Sequence, residues 1–253
     1  MRILLTNDDG VAAPGLLSAK NALDPLGEVV VVAPERPRSA SGHAITLHKP
    51  LRLCEAVLAD GSPAWATSGT PSDCVTLGFD VLMSQRVDLV VAGINAGANL
   101  GFDLTYSGTV MAAMEGAILG VPSIAVSVVG ENGQMEYGPA AAFTANLARL
   151  VEREGLDRWT LLNVNVPSRS AEEIRGVRFT RQGRTQYDER VERRTDPWGR
   201  AYYWLSGSLV EDDTDHGSDV QAVKEGYISV TPVQLDMTAT QLLARMKDWE
   251  ITK

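Results

Sequence analysis

The chain has 253 residues, of which 44% are apolar, and its 23 Lys and Arg against 32 Asp and Glu give a formal charge of −9. This length and apolar content are enough for a large folded core and exclude disorder, collagen and coiled coil. The two cysteines, Cys54 and Cys74, are too few for a disulfide framework or a four-cysteine zinc site, and we expect both to be small buried residues. The acidic balance opposes long nucleic acids and anionic membranes as partners.

The chain shows no sign of a secretory signal or a membrane span. Residues 1–6 are followed at once by Asn7 and two aspartates, which leaves too few apolar residues for a signal sequence. The apolar stretch 110–129 is interrupted by Glu115 and Pro122, and we interpret it as a helix followed by a strand. We therefore expect a cytoplasmic protein, in agreement with its few cysteines.

Apolar runs in the first part of the chain predict alternating strands and helices. Residues 3–5 and 29–33 are continuous apolar runs, and residues 15–26 between them have a helical pattern. The alternation continues with strands predicted at 88–92, 123–129 and 161–166, and helices at 110–119 and 140–151. Continuous apolar strands are typical of a parallel sheet covered by helices on both faces, so we predict a doubly wound α/β core.

Two hydroxyl-containing motifs predict helix starts. Thr70 and Asp73, with a proline between them, combine an N-cap, a proline at the first helical position and an acid three residues after the cap. This pattern predicts a helix that runs to about Met83. Thr238 and Gln241 have the spacing of a capping box, so a final helix is expected to start near Thr238.

The composition changes after Pro167, where arginines become frequent. The residues 196–199 have turn chemistry between two strand-like stretches, which predicts a projecting β hairpin, or arm, over about residues 187–204. Four large aromatic residues lie near its tip: Trp198, Tyr202, Tyr203 and Trp204. We interpret this apolar surface as an oligomer contact, with an arm folded back on its own core as the alternative.

Residues 1–170 are expected to form the α/β core, and residues 171–253 a C-terminal extension with the arm, a strand at 227–230 and the final helix. Arg190, Arg193 and Arg194 alternate with acidic residues, so arms can pair across a two-fold axis; solvated ion pairs are the alternative. The acidic residues Glu211, Asp212, Asp213, Asp215 and Asp219 form a run far in sequence from the candidate site described next.

Two neighbouring aspartates, Asp8 and Asp9, follow the first predicted strand. Adjacent carboxylates repel each other unless positive charge lies nearby, and a hard divalent cation is the usual source of that charge. A solvated turn with an Asx cap is the alternative. In open α/β sheets, ligands bind beyond the carboxyl ends of the strands, so this loop is a candidate site.

Two further loops bring polar groups to the same edge of the sheet. The loop after the second strand, residues 34–43, supplies serines, two arginines and His43. The loop 93–101 has glycines spaced by four, with Asn95 and Asn99 between them; glycines allow close approach to a ligand, and amide oxygens suit magnesium or manganese.

The residues Ser107, Gly108 and Thr109 begin the next helix, where backbone amides and the helix dipole favour an anion. A plain helix cap is the alternative. Carboxylates for a metal beside an anion site favour metal-assisted phosphoester hydrolysis.

Several motifs, taken in order along nearly the whole chain, carry a family resemblance; they lie at residues 3–10, 33–42, 69–75, 93–101, 106–110, 161–167, 180–182, 214–215 and 226–232. They resemble the SurE family, the stationary-phase survival proteins that act as 5′/3′-nucleotidases. The resemblance implies a Rossmann-like, mostly parallel sheet with a C-terminal extension that forms homodimers or homotetramers. It also implies hydrolysis of nucleoside monophosphates.

The resemblance further implies the site residues. One divalent ion per subunit, Mg²⁺ or Mn²⁺, is expected to be held by Asp8, Asp9, Ser39 and Asn95. Substrate contacts are expected from Asn99, Ser107, Gly108 and Thr109.

The expected mechanism is attack by a metal-activated water, with Asp8 or Asp9 as its base. His43 is a candidate for phosphate contact or proton donation, and a structural loop histidine is the alternative. Two other functions remain open at this point: a non-catalytic switch that binds metal and nucleotide, and a broader phosphatase that also acts on polyphosphate.

Overall fold

The computed structural model describes residues 1–130, 135–210, 216–247 and 249, without the side chains of residues 186, 189, 190, 206 and 208–210. The α-helices among them are α1 (Pro14–Leu23), α2 (Pro71–Leu77), α3 (Gly108–Ile118), α4 (Tyr137–Glu154), α5 (Asp219–Lys224) and α6 (Thr240–Met246). The strands are β1 (Arg2–Thr6), β2 (Glu28–Pro34), β3 (Leu53–Val57), β4 (Pro63–Thr67), β5 (Leu89–Ala96), β6 (Ser123–Val129), β7 (Thr160–Pro167), β8 (Val177–Phe179), β9 (Gln186–Thr195), β10 (Ala201–Val210) and β11 (Ile228–Gln234). The short strands β3, β4 and β8 are the ones that the apolar pattern does not predict.

Nine strands form one sheet in the order β3-β4-β2-β1-β5-β6-β7-β11-β8. Neighbours from β4 to β7 are parallel, whereas β3 runs antiparallel to β4 and β11 antiparallel to β7. Helices α1 and α4 pack together on one face of the sheet, and α2 and α3 on the other. The prediction of a doubly wound, mostly parallel α/β fold is confirmed.

The strand order reverses beside β1. The chain proceeds from β1 to β2 and β4 on one side, and β5 then pairs with the other side of β1. The loops that leave β1 and β5 lead to α1 and α3, which lie on opposite faces, so a crevice opens between them. Asp8 and Asp9 follow β1 and Asn95 lies near the end of β5, which brings the predicted ligands from these two loops to the crevice.

The apolar strands are buried on both faces. Ile3 and Leu5 pack under α1 and α4, whereas Leu4 between them packs under α2 and α3, and all three are 0% exposed. Successive side chains of a strand point to opposite faces, so a sheet with two covered faces needs a continuous apolar run. Burial of each such side chain contributes about 1.5–3 kcal/mol.

Helix α2 starts as the sequence predicts and ends earlier. Thr70 Oγ1 accepts a hydrogen bond from the amide of Asp73 at 3.1 Å, and Asp73 Oδ2 accepts one from the amide of Thr70 at 2.8 Å, which completes the capping box. The α-helix ends at Leu77, and a wider helical turn over Gly78–Leu82 carries the chain on to Met83.

The expectation that both cysteines are buried is wrong for Cys54. Cys74 is buried in α2, whereas Cys54 is exposed, and both are free thiols. Cys54 lies on β3, the last strand at one edge of the sheet, and none of its five residues is fully buried. The position of a strand at the edge is a tertiary property, so local sequence does not reveal this exposure.

The predicted capping box at the final helix is also wrong. α6 begins at Thr240 after Ala239, without a side-chain cap. The amide of Thr238 instead donates to Asp236 Oδ1 at 2.9 Å. The local Asx turn satisfies this amide outside the helix, so Gln241 has no cap to complete.

The predicted hairpin is confirmed. β9 and β10 form a separate two-stranded antiparallel sheet, joined by a turn in which Asp196 Oδ1 accepts from the amide of Trp198 at 2.9 Å. Its aromatic residues are exposed, with Trp198 at 78%, Tyr203 at 59% and Trp204 at 57%.

The charged residues of the extension are only partly described. Arg194 Nε lies 2.9 Å from Glu192 Oε1 on the same strand, with both side chains about half exposed, which is a solvated ion pair. The acidic residues at 211–213 and 215 and the family motif at 214–215 lie outside the described residues, as does the side chain of Arg190. Pairing of two arms across a two-fold axis therefore stays a prediction.

The stretch 110–129 contains most of α3 and all of β6, as predicted. Among the described helices, none combines the length and the apolar character that crossing a bilayer requires.

The packing of α3 on the sheet is tested at Gly116. A Cβ there would lie 2.4 Å from Ser123 Oγ and 2.8 Å from Val90 Cγ2. We expect Gly116→Ala to lower the free energy of unfolding by about 1–3 kcal/mol, because overpacking outweighs the gain in helix propensity. The matched control is Gly138→Ala in α4, where nothing lies within 4 Å of the added Cβ. Urea denaturation should place the control within about 0.5 kcal/mol of the parent, and equal losses in both variants would contradict this packing argument.

Candidate active site

The turn after β1 holds two neighbouring carboxylates. Asn7 shapes this turn, since its Nδ2 donates to the carbonyl of Gly10 at 2.9 Å and its Oδ1 accepts from the amide of Gly10 at 3.2 Å. The side chain of Asn7 closes its own turn, as the Asx alternative expects, but Asn7 is 0% exposed, so the turn is not solvated. The Asx alternative does not account for Asp8, which is only 5% exposed and does not belong to a solvated turn.

Asp8 is a buried acid beside a second acid. Its Oδ1 accepts a hydrogen bond from Thr109 Oγ1 at 2.6 Å. Burial raises the pKa of Asp8; the hydrogen bond from Thr109 opposes the shift and the charge of Asp9 adds to it, so the pKa lies above its ordinary value. A cation next to the two carboxylates would favour the ionised form and remove this penalty.

Asp9 joins the first loop to the end of β5. Its Oδ2 accepts from the amide of Ala96 at 3.0 Å. Tyr137, the first residue of α4, lies close enough that the charge of Asp9, after burial, raises the pKa of the Tyr137 hydroxyl. Tyr137 is therefore a neutral hydrogen-bond donor beside the carboxylates. The sequence carries no motif around Tyr137, and sequence reasoning missed it.

Asn95 is presented by an irregular end of β5. The pairing register with β6 shifts between Ala92 and Asn95. Gly93, inside this bulge, has a φ of +135°, and a Cβ there would lie 2.3 Å from the carbonyl oxygen of Val126, so only glycine fits. Asn95 Nδ2 donates to the carbonyl of Gly97 at 2.9 Å, which leaves its Oδ1 for a cation.

The serine loop, residues 38–46, crosses between the other two loops. The amide of its first residue donates to the carbonyl of Asp8 at 2.7 Å, and the amide of Gly42 donates to the carbonyl of Tyr106 at 3.0 Å. Ser39 lies between these two contacts and is exposed. Ser39 therefore directly follows the residue whose amide contacts the backbone of Asp8.

Helix α3 begins beside the carboxylates. Ser107 Oγ accepts from the amide of Val110 at 3.1 Å and so caps the helix. A Cβ on Gly108 would lie 2.9 Å from the Cβ of Asp8, so the first turn of the helix approaches the acid directly. The hydroxyl of Thr109 donates to Asp8 and the amide of Val110 to Ser107, so this turn offers an anion the Ser107 hydroxyl, the amides of Gly108 and Thr109 and the helix dipole. Substrate contacts of Ser107, Gly108 and Thr109 stay a prediction.

Asn99 is buried against the sheet. Its amide donates to Asn165 Oδ1 at 2.9 Å and its Nδ2 to Ser127 Oγ at 2.7 Å, while its carbonyl accepts from Asn163 Nδ2 at 2.8 Å. All four residues are at most 6% exposed. This network anchors the loop after β5 to β6 and β7. The expected substrate contact of Asn99 stays a prediction, with Oδ1 as the side-chain atom that remains for it.

Sequence reasoning did not assign a role to the asparagines of β7. Asn163 and Asn165 alternate within an otherwise apolar strand, and both are 0% exposed. Polar residues at alternating buried positions are unusual in a strand, because each buried polar group needs a partner. The alternation of Asn163 and Asn165 with apolar residues was therefore the sequence signal that could have pointed to a buried polar network.

His43 contacts a helix rather than the carboxylate pair. Its Nε2 lies 2.8 Å from Glu115 Oε2 on α3, and the two side chains are 29% and 15% exposed. This contact favours the alternative that His43 is a structural loop histidine.

The candidate ligands are all oxygen donors: Asp8, Asp9, Ser39 and Asn95. Two of the four donors are carboxylates, and the other two are a hydroxyl and an amide. Within the described part of the chain, no group of three or more His, Cys, Asp or Glu residues is arranged to hold a metal. Hard cations such as Mg²⁺ and Mn²⁺ accept such donors and keep part of their water shell. The donor chemistry and the raised pKa of Asp8 fit a divalent cation of this kind.

Comparison with known proteins establishes the family. The sequence model for survival protein SurE matches residues 3–189. The chain belongs to the SurE family. A curated relative named 5′-nucleotidase SurE, from Geotalea uraniireducens, is 50% identical over 252 residues and covers 100% of each chain. Another of that name, from Syntrophotalea carbinolica, is 52% identical over 253 residues and covers 100% of this chain and 98% of the relative.

A solved structure of a SurE protein agrees with the fold. The crystal structure of the SurE protein from Aquifex aeolicus superposes with a TM-score of 0.85 at 42% sequence identity and covers 98% of each chain. The family resemblance carried by the motifs is therefore confirmed.

The buried charge of this SurE chain can be tested without a ligand. Asp8→Asn keeps an acceptor for Thr109 and removes the charge that burial disfavours. We expect the metal-free variant to melt about 2–4 °C higher, the shift that about 1 kcal/mol produces in a domain of this size. Because the raised pKa lets the folded state hold its proton more tightly, the parent should lose stability as pH rises above the ordinary aspartate range, and the variant should not.

The measurement is calorimetry in chelator across pH, with Asp60→Asn as the control, because Asp60 is an exposed acid in a surface turn. A lower melting temperature for Asp8→Asn than for the parent would contradict the buried-charge account.

Proposed function

We propose that this chain is a metal-dependent 5′-nucleotidase that hydrolyses nucleoside 5′- and 3′-monophosphates to nucleoside and inorganic phosphate. The observation that carries the proposal is the contact between the carboxylate pair and the start of α3. Thr109 of that helix donates to Asp8 at 2.6 Å, so metal donors and an anion site share one crevice. The relatives named 5′-nucleotidase SurE, which match over their full length, support the activity.

One Mg²⁺ or Mn²⁺ ion per subunit would be held by Asp8, Asp9, Ser39 and Asn95. When bound, the ion supplies positive charge to a phosphoryl oxygen and acidifies a water. The choice rests on the hard oxygen donors and on the amide orientation of Asn95, whose nitrogen is already bonded to Gly97.

The protein groups have separate tasks in this proposal. The first-turn amides of α3 bind and orient the phosphate oxygens, because they point outward at the positive end of the helix dipole. The hydroxyl of Thr109 orients Asp8, and the amide of Ala96 orients Asp9. One of these two carboxylates accepts the proton of the water that attacks phosphorus in line.

The activity is tested by a phosphate-release screen over 5′- and 3′-mononucleotides, short polyphosphate and simple sugar phosphates, with Mn²⁺ and with chelator. We expect release from mononucleotides that requires metal. The matched control is Asp60→Asn, which changes an exposed acid in a surface turn and should keep full turnover, while Asp9→Asn should lose at least about 100-fold.

Release without metal would contradict the mechanism. Binding of nucleotide without any release of phosphate would favour a non-catalytic switch, and faster release from polyphosphate than from mononucleotides would favour the broader phosphatase.

We further propose that residues 171–253 form a C-terminal extension whose arm makes a homodimer or homotetramer in the cytoplasm. The exposed apolar surface of Trp198, Tyr203 and Trp204 supports an interface, since aromatic residues are enriched there. The free thiols of Cys54 and Cys74 agree with a reducing compartment.

The oligomer is tested by shortening the arm. Arg190 and Ser206 are paired across the two strands, so residues 191–205 can be replaced by an Asn-Gly turn that keeps the base of the hairpin. Light scattering should show a smaller assembly for the shortened chain. An unchanged mass would reject the arm as the contact.

A further inference from the structure

We infer that Asp73 and Glu115 are positioning residues that hold the serine loop, and with it Ser39, against the carboxylate pair. Both acids lie on helices, Asp73 in α2 and Glu115 in α3, and neither belongs to the proposed set of metal ligands. The inference rests on the proposed function, because it takes Ser39 as a ligand.

Asp73 does more than cap its own helix. A capping box needs one carboxylate oxygen, and Asp73 Oδ2 serves it by accepting from the amide of Thr70. Both oxygens also bind the serine loop: Oδ1 accepts from the amide of Thr46 at 3.0 Å, and Oδ2 accepts from Thr46 Oγ1 at 2.6 Å. Thr70 Oγ1 adds a bond to the carbonyl of Ala44 at 2.7 Å. The start of α2 therefore holds the far end of the loop at two nearby residues, Ala44 and Thr46.

Glu115 anchors the loop from the second helix. Its Oε2 lies 2.8 Å from His43 Nε2, and its Oε1 accepts from Thr76 Oγ1 of α2 at 3.4 Å. The Glu115 side chain is 15% exposed and that of His43 29% exposed, so the contact lies at the surface and is partly covered. One carboxylate thus joins α2, α3 and the serine loop.

The segment next to Ser39 needs such anchors. Ala40 has a φ of +54°, a left-handed backbone that alanine adopts only when its surroundings impose it. Ser41 Oγ is buried and has no hydrogen-bond partner among the described residues, so the segment does not stabilise itself through this side chain. The contacts at His43, Ala44 and Thr46 impose the conformation from one side, and the bond from Arg38 to Asp8 imposes it from the other.

Loss of the anchors should appear as weaker metal binding. Without these anchors the loop would be mobile in the metal-free protein. A cation that binds through Ser39 would then have to order the loop, and the lost conformational entropy would make the binding free energy less favourable. Substitution of residues that orient metal ligands without binding the metal typically weakens metal affinity by about 10–100-fold.

The test removes the two side-chain contacts of the loop, those of His43 and Thr46. The backbone contacts of Ala44 and Thr46, the helix cap of Asp73 and the fold of α3 remain. The variants are His43→Ala, Thr46→Val and the double variant, with Thr46→Ser to restore the hydroxyl. His48→Ala is the matched control, because His48 lies just beyond the loop and is exposed. Two quantities are measured: the Mn²⁺ dissociation constant, from the EPR signal of free Mn²⁺, and hydrogen exchange of amides 38–46 in metal-free protein.

We expect the double variant to bind Mn²⁺ about 10-fold more weakly and to exchange these amides faster. Thr46→Ser and His48→Ala should match wild type in both measurements. The loss should be in Mn²⁺ affinity, with kcat at saturating Mn²⁺ much less affected.

Unchanged exchange or unchanged Mn²⁺ affinity in the double variant would overturn the inference while the proposed nucleotidase stands. Loss of kcat with unchanged Mn²⁺ affinity would also overturn it and would assign His43 to the chemistry. If the wild-type protein neither binds Mn²⁺ nor releases phosphate, the proposed function fails and the role toward Ser39 fails with it.

Discussion

The pair of neighbouring carboxylates at the end of β1 is the constraint on which the rest of the site depends. Asp8 is buried, its pKa is raised, and Asp9 adds a second negative charge beside it. The groups around the pair are donors: the hydroxyl of Thr109, the amide of Ala96 and the first turn of α3. They compensate the charges only in part, and the proposed divalent cation would complete the compensation. Such a site lowers stability and is retained for its chemistry.

The sheet makes this arrangement possible through its topology and its close backbone contacts. The reversal of strand order at β1 separates the loops after β1 and β5, so a crevice forms without any distortion of the core. Gly93 and Gly108 occupy places where a Cβ would meet a carbonyl or a carboxylate side chain. The buried asparagines of β7 then fix the loop after β5 from behind, and their hydrogen bonds to Asn99 offset part of the cost of burying them.

Prediction from sequence succeeded where a local pattern has a single physical meaning. The continuous apolar runs predicted β1, β2, β5, β6 and β7, since only a strand covered on both faces needs them. The Thr70 and Asp73 spacing predicted the start of α2, because both partners of a capping box lie in one turn. The strands β3, β4 and β8 escaped prediction because they are short and lie toward the sheet edges, where burial does not demand an apolar run.

Two outcomes that the sequence did not reveal depend on tertiary structure, and one depends on a competing local motif. Cys54 is exposed because β3 is the last strand of the sheet, and the amide of Thr238 is satisfied by Asp236 rather than by a helix cap. His43 meets Glu115, which lies 72 residues further along the chain. The exposure of Cys54 and the partner of His43 depend on residues far apart in the chain, so residue spacing alone does not reveal them. The outcome at Thr238 is local, because an Asx turn two residues away competes with the capping box for the same amide.

The sequence by itself determined the family, the α/β class and the chemistry of the candidate ligands, because these depend on local motifs and on hydrophobic periodicity. Only the tertiary structure decided which polar atoms are used inside the protein and which remain for a ligand. The hydroxyl of Thr109 is used by Asp8 and the amide of Val110 by the helix cap. Asn95 Oδ1, the hydroxyl proton of Ser107 and the amides of Gly108 and Thr109 remain. A hydrogen bond joins two atoms that folding brings together from distant parts of the chain, so its partners are known only once the chain is folded.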